Sequence, residues 1–390
     1  GPMHWGHLCT SDFVRWEILE PALAPDSDFD CEGCFSGTAI EFEDRHILAY
    51  TGVSKNKKGE TLQNQCLAEG DGLCYKKILQ NPVISAANVP FEFQKGDFRD
   101  SKLWREDGKF YMACVLKMPD GKGSLVCFRS ENLLDWKFVS VIDKSSGKSG
   151  MWECPDIFKL DGKDVVIFSP QEMKADFENG LHDGNNSVYM TGFLKRPEFI
   201  FEREMRTENS LNFAQIDGGI DFYAPQTCLA PDGRRIMIAW MQNWESYITP
   251  QNYLWSGMMT FPRELEFKNG KLFQNPVREL LLYRKKCECG VASGTSSFIK
   301  NGFSHGDIEL EFFSAFENSD DCKNQDEKFS LVLSRNVAGK KFSVEFTCDF
   351  AEQTLCFDRR HSVEGVGKIN FRKMKFPPSS LRNEKSAHGK

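Results

Sequence analysis

Long apolar runs are absent from this chain. Nothing in it approaches the roughly 18 consecutive apolar residues of a membrane-spanning helix, and its most apolar stretches, Asp164 to Phe168 and Arg235 to Met241, are only strand-length. No membrane partner is therefore expected. An excess of positive charge is missing as well. The 49 Lys and Arg face 56 Asp and Glu, for a net charge of −7, the wrong sign for a phosphate-binding face, so nucleic acid is not an expected partner. Helical periodicity is scarce, apart from Val277 to Tyr283, which reads as a short linker helix. Metal-ligand spacing is also thin. Cys31-Glu32-Gly33-Cys34 has zinc-knuckle spacing, but no second pair or histidine cluster follows, and Cys287-Glu288-Cys289 fares no better. No metal and no cofactor is expected.

What remains describes a soluble globular protein. At 390 residues, 40% hydrophobic and 27% charged, the chain is long enough for two domains with sizeable cores. The 33 Phe and 8 Trp suit both sheet interiors and sugar-binding clefts, and composition does not separate the two uses. Most of the 14 cysteines stand singly in apolar contexts, as Cys114 does between Ala113 and Val115. That usage fits free thiols in a reducing compartment and a cytoplasmic location.

One short pattern recurs: an apolar residue, an Asp-Gly turn or a close variant, a basic residue, then an alternating strand. It centres on Asp107-Gly108, Asp161-Gly162 and Asp232-Gly233, with looser copies at Glu43-Asp44 and Asn269-Gly270. Such dipeptides between alternating runs predict hairpins, because the tight turn needs positive φ. Most of the turns lie roughly 55–70 residues apart, a unit closer to a propeller blade than to the spacing of a sandwich. A second echo supports repetition: Ser11-Asp12-Phe13-Val14-Arg15-Trp16 is matched by Ser130 to Trp136. Trp16 and Trp136 are expected to be packing residues. After about residue 285 the pattern changes. Ser, Gly and Thr gather at 293–297, then strands such as Asp307 to Phe312 and Phe329 to Leu333 indicate an all-β second domain. The expected boundaries are 1–285 for a propeller, 286–292 for a linker, 293–372 for a partial β-sandwich and 373–390 for a disordered or truncated tail.

Two acidic residues stand in settings suited to sugar chemistry. Glu153 lies between Trp152 and the Cys154-Pro155 pair, and Asp100 follows Phe98-Arg99. A carboxyl with apolar neighbours can be kept protonated to serve a leaving oxygen, while a second carboxylate holds the sugar.

In order along the chain, several segments resemble glycoside hydrolase family 32, the invertases, sucrose-6-phosphate hydrolases and fructan β-fructosidases. They are His4-Trp5-Gly6-His7 with Ser11 to Glu17 and Pro21 to Asp26, then Cys34-Phe35-Ser36-Gly37, Phe98-Arg99-Asp100 and Trp152-Glu153-Cys154-Pro155-Asp156. Asp221-Phe222-Tyr223-Ala224, Ser256 to Leu265 and Phe357-Asp358-Arg359-Arg360 follow. The resemblance implies an all-β fold, a five-bladed β-propeller with an incomplete first blade, followed by a C-terminally truncated β-sandwich. It implies a retaining β-fructofuranosidase acting on a small carbohydrate: sucrose, sucrose 6-phosphate or a short fructan. Glu153 would be the general acid/base and Asp100 the transition-state stabiliser, with Arg99 orienting both through charge-assisted bonds. Trp5, Phe35 and Ser36 would line the fructose site, with Tyr223 and Trp240 at its rim.

Two departures stand out. The family's Arg-Asp-Pro motif ends here in Ser101, which relaxes the backbone but keeps both functional side chains. The family's nucleophile lies in an Asn-Asp-Pro segment upstream of the stretch resembling residues 1–26, and no Asn-Asp-Pro occurs in residues 1–390. These residues alone are accordingly expected to turn over poorly. Competing readings are a fructoside-binding propeller that has lost catalysis, a five-bladed relative acting on arabinosides, and a structural propeller with incidental similarity.

Overall fold

Tight turns punctuate the chain where positive φ is affordable. The computed structural model describes residues 1–145, 149–176, 180–204, 213–246, 256–268, 270–284, 328–349, 352–362 and 371–375. Glu43-Asp44, Asp107-Gly108 and Asp161-Gly162 all carry positive φ at both positions, joining strands through two-residue turns. Asp232-Gly233 forms a different loop. Pro231 holds its own φ negative, so only Gly233 turns left-handed, with its amide donating to the Ala230 carbonyl at 2.9 Å. Asn269 lies outside the described residues. Ala338-Gly339 makes a further positive-φ pair that has no Asp-Gly signature.

The strands assemble into sheets in sequence order. Strands β1 (Trp5–Cys9) and β2 (Glu17–Leu23) form an antiparallel pair. The first larger sheet is β3 (Gly33–Phe42), β4 (Arg45–Lys55), β5 (Thr61–Gly70) and β6 (Tyr75–Lys77). Then come β7 (Gln94–Glu106), β8 (Lys109–Lys117), β9 (Gly123–Ser130) and β10 (Lys137–Lys144). The third is β11 (Trp152–Leu160), β12 (Lys163–Pro170), β13 (Val188–Lys195) and β14 (Ile200–Arg203), with β15 (Ala214–Gln215) also on β13. The fourth is β16 (Tyr223–Leu229), β17 (Arg235–Trp240), β18 (Arg263–Lys268) and β19 (Lys271–Pro276). This sequential antiparallel order is that of propeller blades. The linker helix expected over Val277 to Tyr283 is a 3₁₀ turn, Arg278–Tyr283.

Each core lies between neighbouring sheets rather than inside one. Leu67 and Ile47 pack with Leu103, Met112 and Phe128, Val115 and Leu125 with Trp152, Val166 and Phe168, and Phe158 and Ile167 with Met237 and Leu265. Faces apolar on both sides give strands such as β8 their unbroken buried run, Phe110 to Leu116. The ring closes where Phe13 and Leu280 pack on Ala230, Ile236 and Val277, and Tyr283 donates to Asp12 at 3.0 Å.

The echo between Ser11–Trp16 and Ser130–Trp136 is structural. Asp12 accepts from the Val14 and Arg15 amides, and Asn132 likewise from those of Leu134 and Asp135. Phe13 and Leu133 both take positive φ. The two tryptophans differ, however. Trp136 is buried as expected, whereas Trp16 is 40% exposed, so its packing role is not met.

A last sheet comprises β20 (Lys328–Val337), β21 (Lys340–Asp349), β22 (Thr354–His361) and β23 (Phe371–Lys375). Lys373 to Lys375, which composition assigns to the tail, belong to β23, because they pair in register with Thr354 to Cys356. The linker at 286–292, the 293–297 stretch and the strand expected at 307–312 fall outside the described residues.

Candidate active site

The innermost strands of the sheets share one irregularity. Pairing slips at Phe35/Gly37 in β3, at Arg99/Lys102 in β7, at Glu153/Asp156 in β11 and at Tyr223/Gln226 in β16. In the last three, the residue inside the bulge has positive φ: Asp100 (61°), Cys154 (49°) and Ala224 (52°). Such backbone costs about 1–3 kcal/mol per residue and persists where its surroundings hold it, often beside functional groups. The residue just before each bulge is therefore equivalent from sheet to sheet. Those residues are Arg99, Glu153 and Tyr223, and the three side chains meet.

Glu153 sits between the other two. Arg99 Nη2 donates to its Oε1 at 2.9 Å, and the Tyr223 hydroxyl donates to its Oε2 at 2.5 Å. Arg99 is further held by Asp97 Oδ1 at 2.7 Å and by Gln63 Oε1 at 3.3 Å, and its Nε lies 3.8 Å from Asp100 Oδ2. Burial works to lower the Arg99 pKa, but the Asp100 and Glu153 charges outweigh it and keep the guanidinium charged.

Asp100 is buried and anchored at both ends. Its amide donates to Thr51 Oγ1 at 3.0 Å, and its Oδ2 accepts from the Cys154 amide at 2.9 Å. Burial pushes its carboxyl up to about 6, with Arg99 opposing and the Glu153 charge adding. Burial first, then the Glu153 charge, holds the Tyr223 phenol well above its usual range, so it remains a donor. The Cys154 thiol is likewise held up by burial and by the two carboxylates, which keeps it protonated and unreactive.

The remaining sequence candidates frame this network. Ser36 is exposed, and its carbonyl accepts from Thr51 Oγ1 at 3.1 Å. Trp5 Nε1 donates to the Phe35 carbonyl at 3.0 Å, which ties β1 to β3. Trp240 makes no bond to the carboxylates. It pairs in register with Tyr223 across β16 and β17 and meets Trp244 edge-on at 5.0 Å. Sequence reasoning missed Thr51, Gln63 and Asp97. Asp97 was within reach, since residues two apart on a strand share a face, whereas Thr51 and Gln63 come from another sheet. It also missed Lys102, whose Nζ lies 2.7 Å from Asp156 Oδ1, a buried pair just beyond the two bulges.

The arrangement offers one partly open carboxyl with a cation and a phenol on its two oxygens, beside a second, buried carboxyl. Such a pair can move a proton and hold a polyol.

A family model described as the glycosyl hydrolases family 32 N-terminal domain matches residues 1–276. The sucrose-6-phosphate hydrolase of Zymomonas mobilis is 38% identical over 394 residues, covering 95% of this chain and 71% of its own length. The raffinose invertase of Escherichia coli is 35% identical, covering 74% of this chain and 59% of its own. The sucrose-6-phosphate hydrolase of Bacillus subtilis is 39% identical, covering 73% and 58%. The chain thus spans between about half and three-quarters of the length of these relatives. Among solved structures, a GH32 beta-fructofuranosidase of Bombyx mori superposes with a TM-score of 0.73 at 26% identity, over 97% of this chain and 74% of that one. A point mutant of the same silkworm enzyme, solved in complex with sucrose, superposes with a TM-score of 0.74. Propeller and sandwich are the architecture of that family, and the chain belongs to glycosyl hydrolase family 32.

Proposed function

We propose that the protein is a retaining β-fructofuranosidase that releases fructose from sucrose or a close relative of it. The observation that carries this reading is Glu153 held between Arg99 and Tyr223 with Asp100 alongside. Relatives named sucrose-6-phosphate hydrolase and raffinose invertase support the substrate class, as does the neighbouring fold solved with sucrose.

The geometry supports a role for each residue. Glu153, protonated, gives its proton to the glycosidic oxygen as the bond to the fructosyl carbon breaks. Arg99 and the Tyr223 hydroxyl fix the carboxyl's rotamer, so the proton points at the substrate. Asp100, rigid between Thr51 and the Cys154 amide, accepts hydrogen bonds from sugar hydroxyls and stabilises the positive charge that develops on the ring. In the retaining scheme a further carboxylate bonds to the fructosyl carbon as the leaving group departs. Ionised Glu153 then takes a proton from the water whose oxygen attacks that carbon and displaces the carboxylate. Retention of configuration also needs an attacking carboxylate, and on this reading neither Glu153 nor Asp100 fills that role.

The test is the full-length gene product assayed on sucrose and sucrose 6-phosphate. Hydrolysis with a drop in kcat of about 10²- to 10⁴-fold on Glu153→Gln supports the reading. A full-length protein that leaves both sugars intact, or a Glu153→Gln variant with unchanged kcat, sinks it. The kcat/KM ratio between the two sugars identifies the preferred one.

A further inference from the structure

Two signatures far apart in the sequence touch in the fold. Arg359 on β22 reaches into the propeller and forms a two-pronged ion pair with Asp221: its Nη1 donates to one carboxylate oxygen and its Nη2 to the other at 3.2 Å. The Arg359 side chain is 7% exposed, and planar guanidinium–carboxylate forks of this kind fix direction as well as distance. From the neighbouring strand β23, Arg372 donates to the carbonyls of Gly219 and Gly180. The propeller grips the same segment from its own side. Arg263 donates to Asp217 at 2.6 Å and lies 4.9 Å over the Phe222 ring.

Residues 217–222 are thus clamped between the two parts of the molecule, and the next residue is Tyr223. Its hydroxyl donates to Glu153, and the following amide, Ala224, donates to Ser169 Oγ at 3.1 Å. Ala224 holds positive φ, a conformation that survives only while its flanks are fixed. Downstream, β16 fixes one flank. Upstream, Phe222 is buried in the core with Met237 and Leu265, and Asp221 just before it is held by a cation that comes from the C-terminal sheet.

We propose that Arg359 is a positioning residue for the proton donor, acting through Asp221 to seat the Tyr223 hydroxyl on Glu153. The C-terminal sheet thereby tunes the acid/base group without touching substrate. This inference rests on Glu153 being that group.

The experiment is a double-mutant cycle in the full-length gene product, with Arg359→Gln, Tyr223→Phe, the double variant and Arg359→Lys. Loss of the phenol's hydrogen bond disfavours ionised Glu153. Arg359→Gln should therefore move the alkaline limb of the kcat/KM profile upward, in the direction Tyr223→Phe does. It should lower kcat by about tenfold to a hundredfold, since small misplacements of catalytic groups cost that much, and leave KM near its original value. The double variant should match Tyr223→Phe alone, because coupled residues are not additive, and Arg359→Lys should recover part of the loss. Additive effects, or a fixed pH limb with only a lower melting temperature, overturn the proposal. If Arg359→Gln does not fold, Asp221→Asn breaks the same pair from the other side and must give the same non-additivity. If the unmutated protein cleaves neither sugar, the enzymatic reading has failed on its own. The clamp is then read by hydrogen exchange: Arg359→Gln must speed exchange over 221–226 while β17 stays protected, and unchanged exchange overturns it.

Discussion

Asp100 is the residue whose chemistry and backbone pull hardest against each other. It is a non-glycine residue at φ 61°, buried, and within reach of a second carboxylate. Its pKa, pushed up to about 6 from 3.8 by burial despite Arg99, has a definite consequence for stability. A carboxyl whose folded pKa lies above its unfolded value contributes stability that is full below the unfolded value. That contribution is lost as pH rises through the folded value. The window here is pH 4 to 6, and a displacement of about two pH units corresponds to roughly 3 kcal/mol. Asp100→Asn has no such titration. Urea melts from pH 3.5 to 7 should show the variant gaining on the parent across that window, and a constant difference between the two would refute the raised pKa. At this scale the sequence was informative where residue type and flanking residues carry the chemistry. Glu153, Asp100 and Arg99 stand in short contiguous motifs. Thr51 and Gln63 do not, because they are ordinary polar residues on β4 and β5 that only the packing of one sheet on the next brings to Asp100 and Arg99.

At the scale of elements, the turns announce themselves and the bulges do not. Asp107-Gly108 and Asp161-Gly162 are readable because a two-residue turn demands positive φ and glycine supplies it at little cost. Asp100, Cys154 and Ala224 adopt the same region of backbone space with no glycine and no shared residue type, so nothing in the sequence marks them. Tertiary contacts hold them instead, and the buried Lys102–Asp156 pair is the most direct of these. It joins β7 to β11 just beyond both bulges, and Asp156 Oδ2 also accepts from the Thr227 amide of β16 at 2.7 Å. Three inner strands are thus tied to one carboxylate. Removing one partner of a buried pair strands the other charge, at a cost of about 3–5 kcal/mol, whereas replacing both with apolar residues can be close to neutral. Lys102→Met should therefore destabilise the protein by that amount, while Lys102→Met with Asp156→Leu should recover part of the loss. The Thr227 amide stays unpaired in the double variant, so recovery should remain incomplete. Denaturant midpoints for the two variants decide it, and equal midpoints would show that the stranded charge is not the source of the cost.

Over the whole molecule, the decisive contacts join residues far apart in sequence, which is why the repeat was readable and its closure was not. Hairpin spacing shows that similar units follow one another, but it does not say that the first meets the last. The fold answers through Phe13. This residue sits at φ 57° in the turn capped by Asp12, with Arg234 5.6 Å over its ring and Leu280 beside it. Tyr283 completes the closure by donating to Asp12, with Arg15 5.3 Å over its own ring. The equivalent Leu133 packs only within its neighbouring sheets, so the same local turn serves packing in one place and ring closure in the other. An open ring loses cooperativity between its ends before it loses either one, because each sheet is otherwise buried by its neighbours. Phe13→Ala removes a partly buried ring and should cost about 1–3 kcal/mol, less than a fully buried phenylalanine. Its more specific effect is on where exchange accelerates. Amides of β1, β2 and the 3₁₀ turn Arg278–Tyr283 should lose protection together, while β8 and β12, at the centre of the sheets, keep theirs. If only the residues flanking Phe13 exchange faster and the 278–283 turn stays protected, the contact is a local packing detail and the ring is held shut elsewhere.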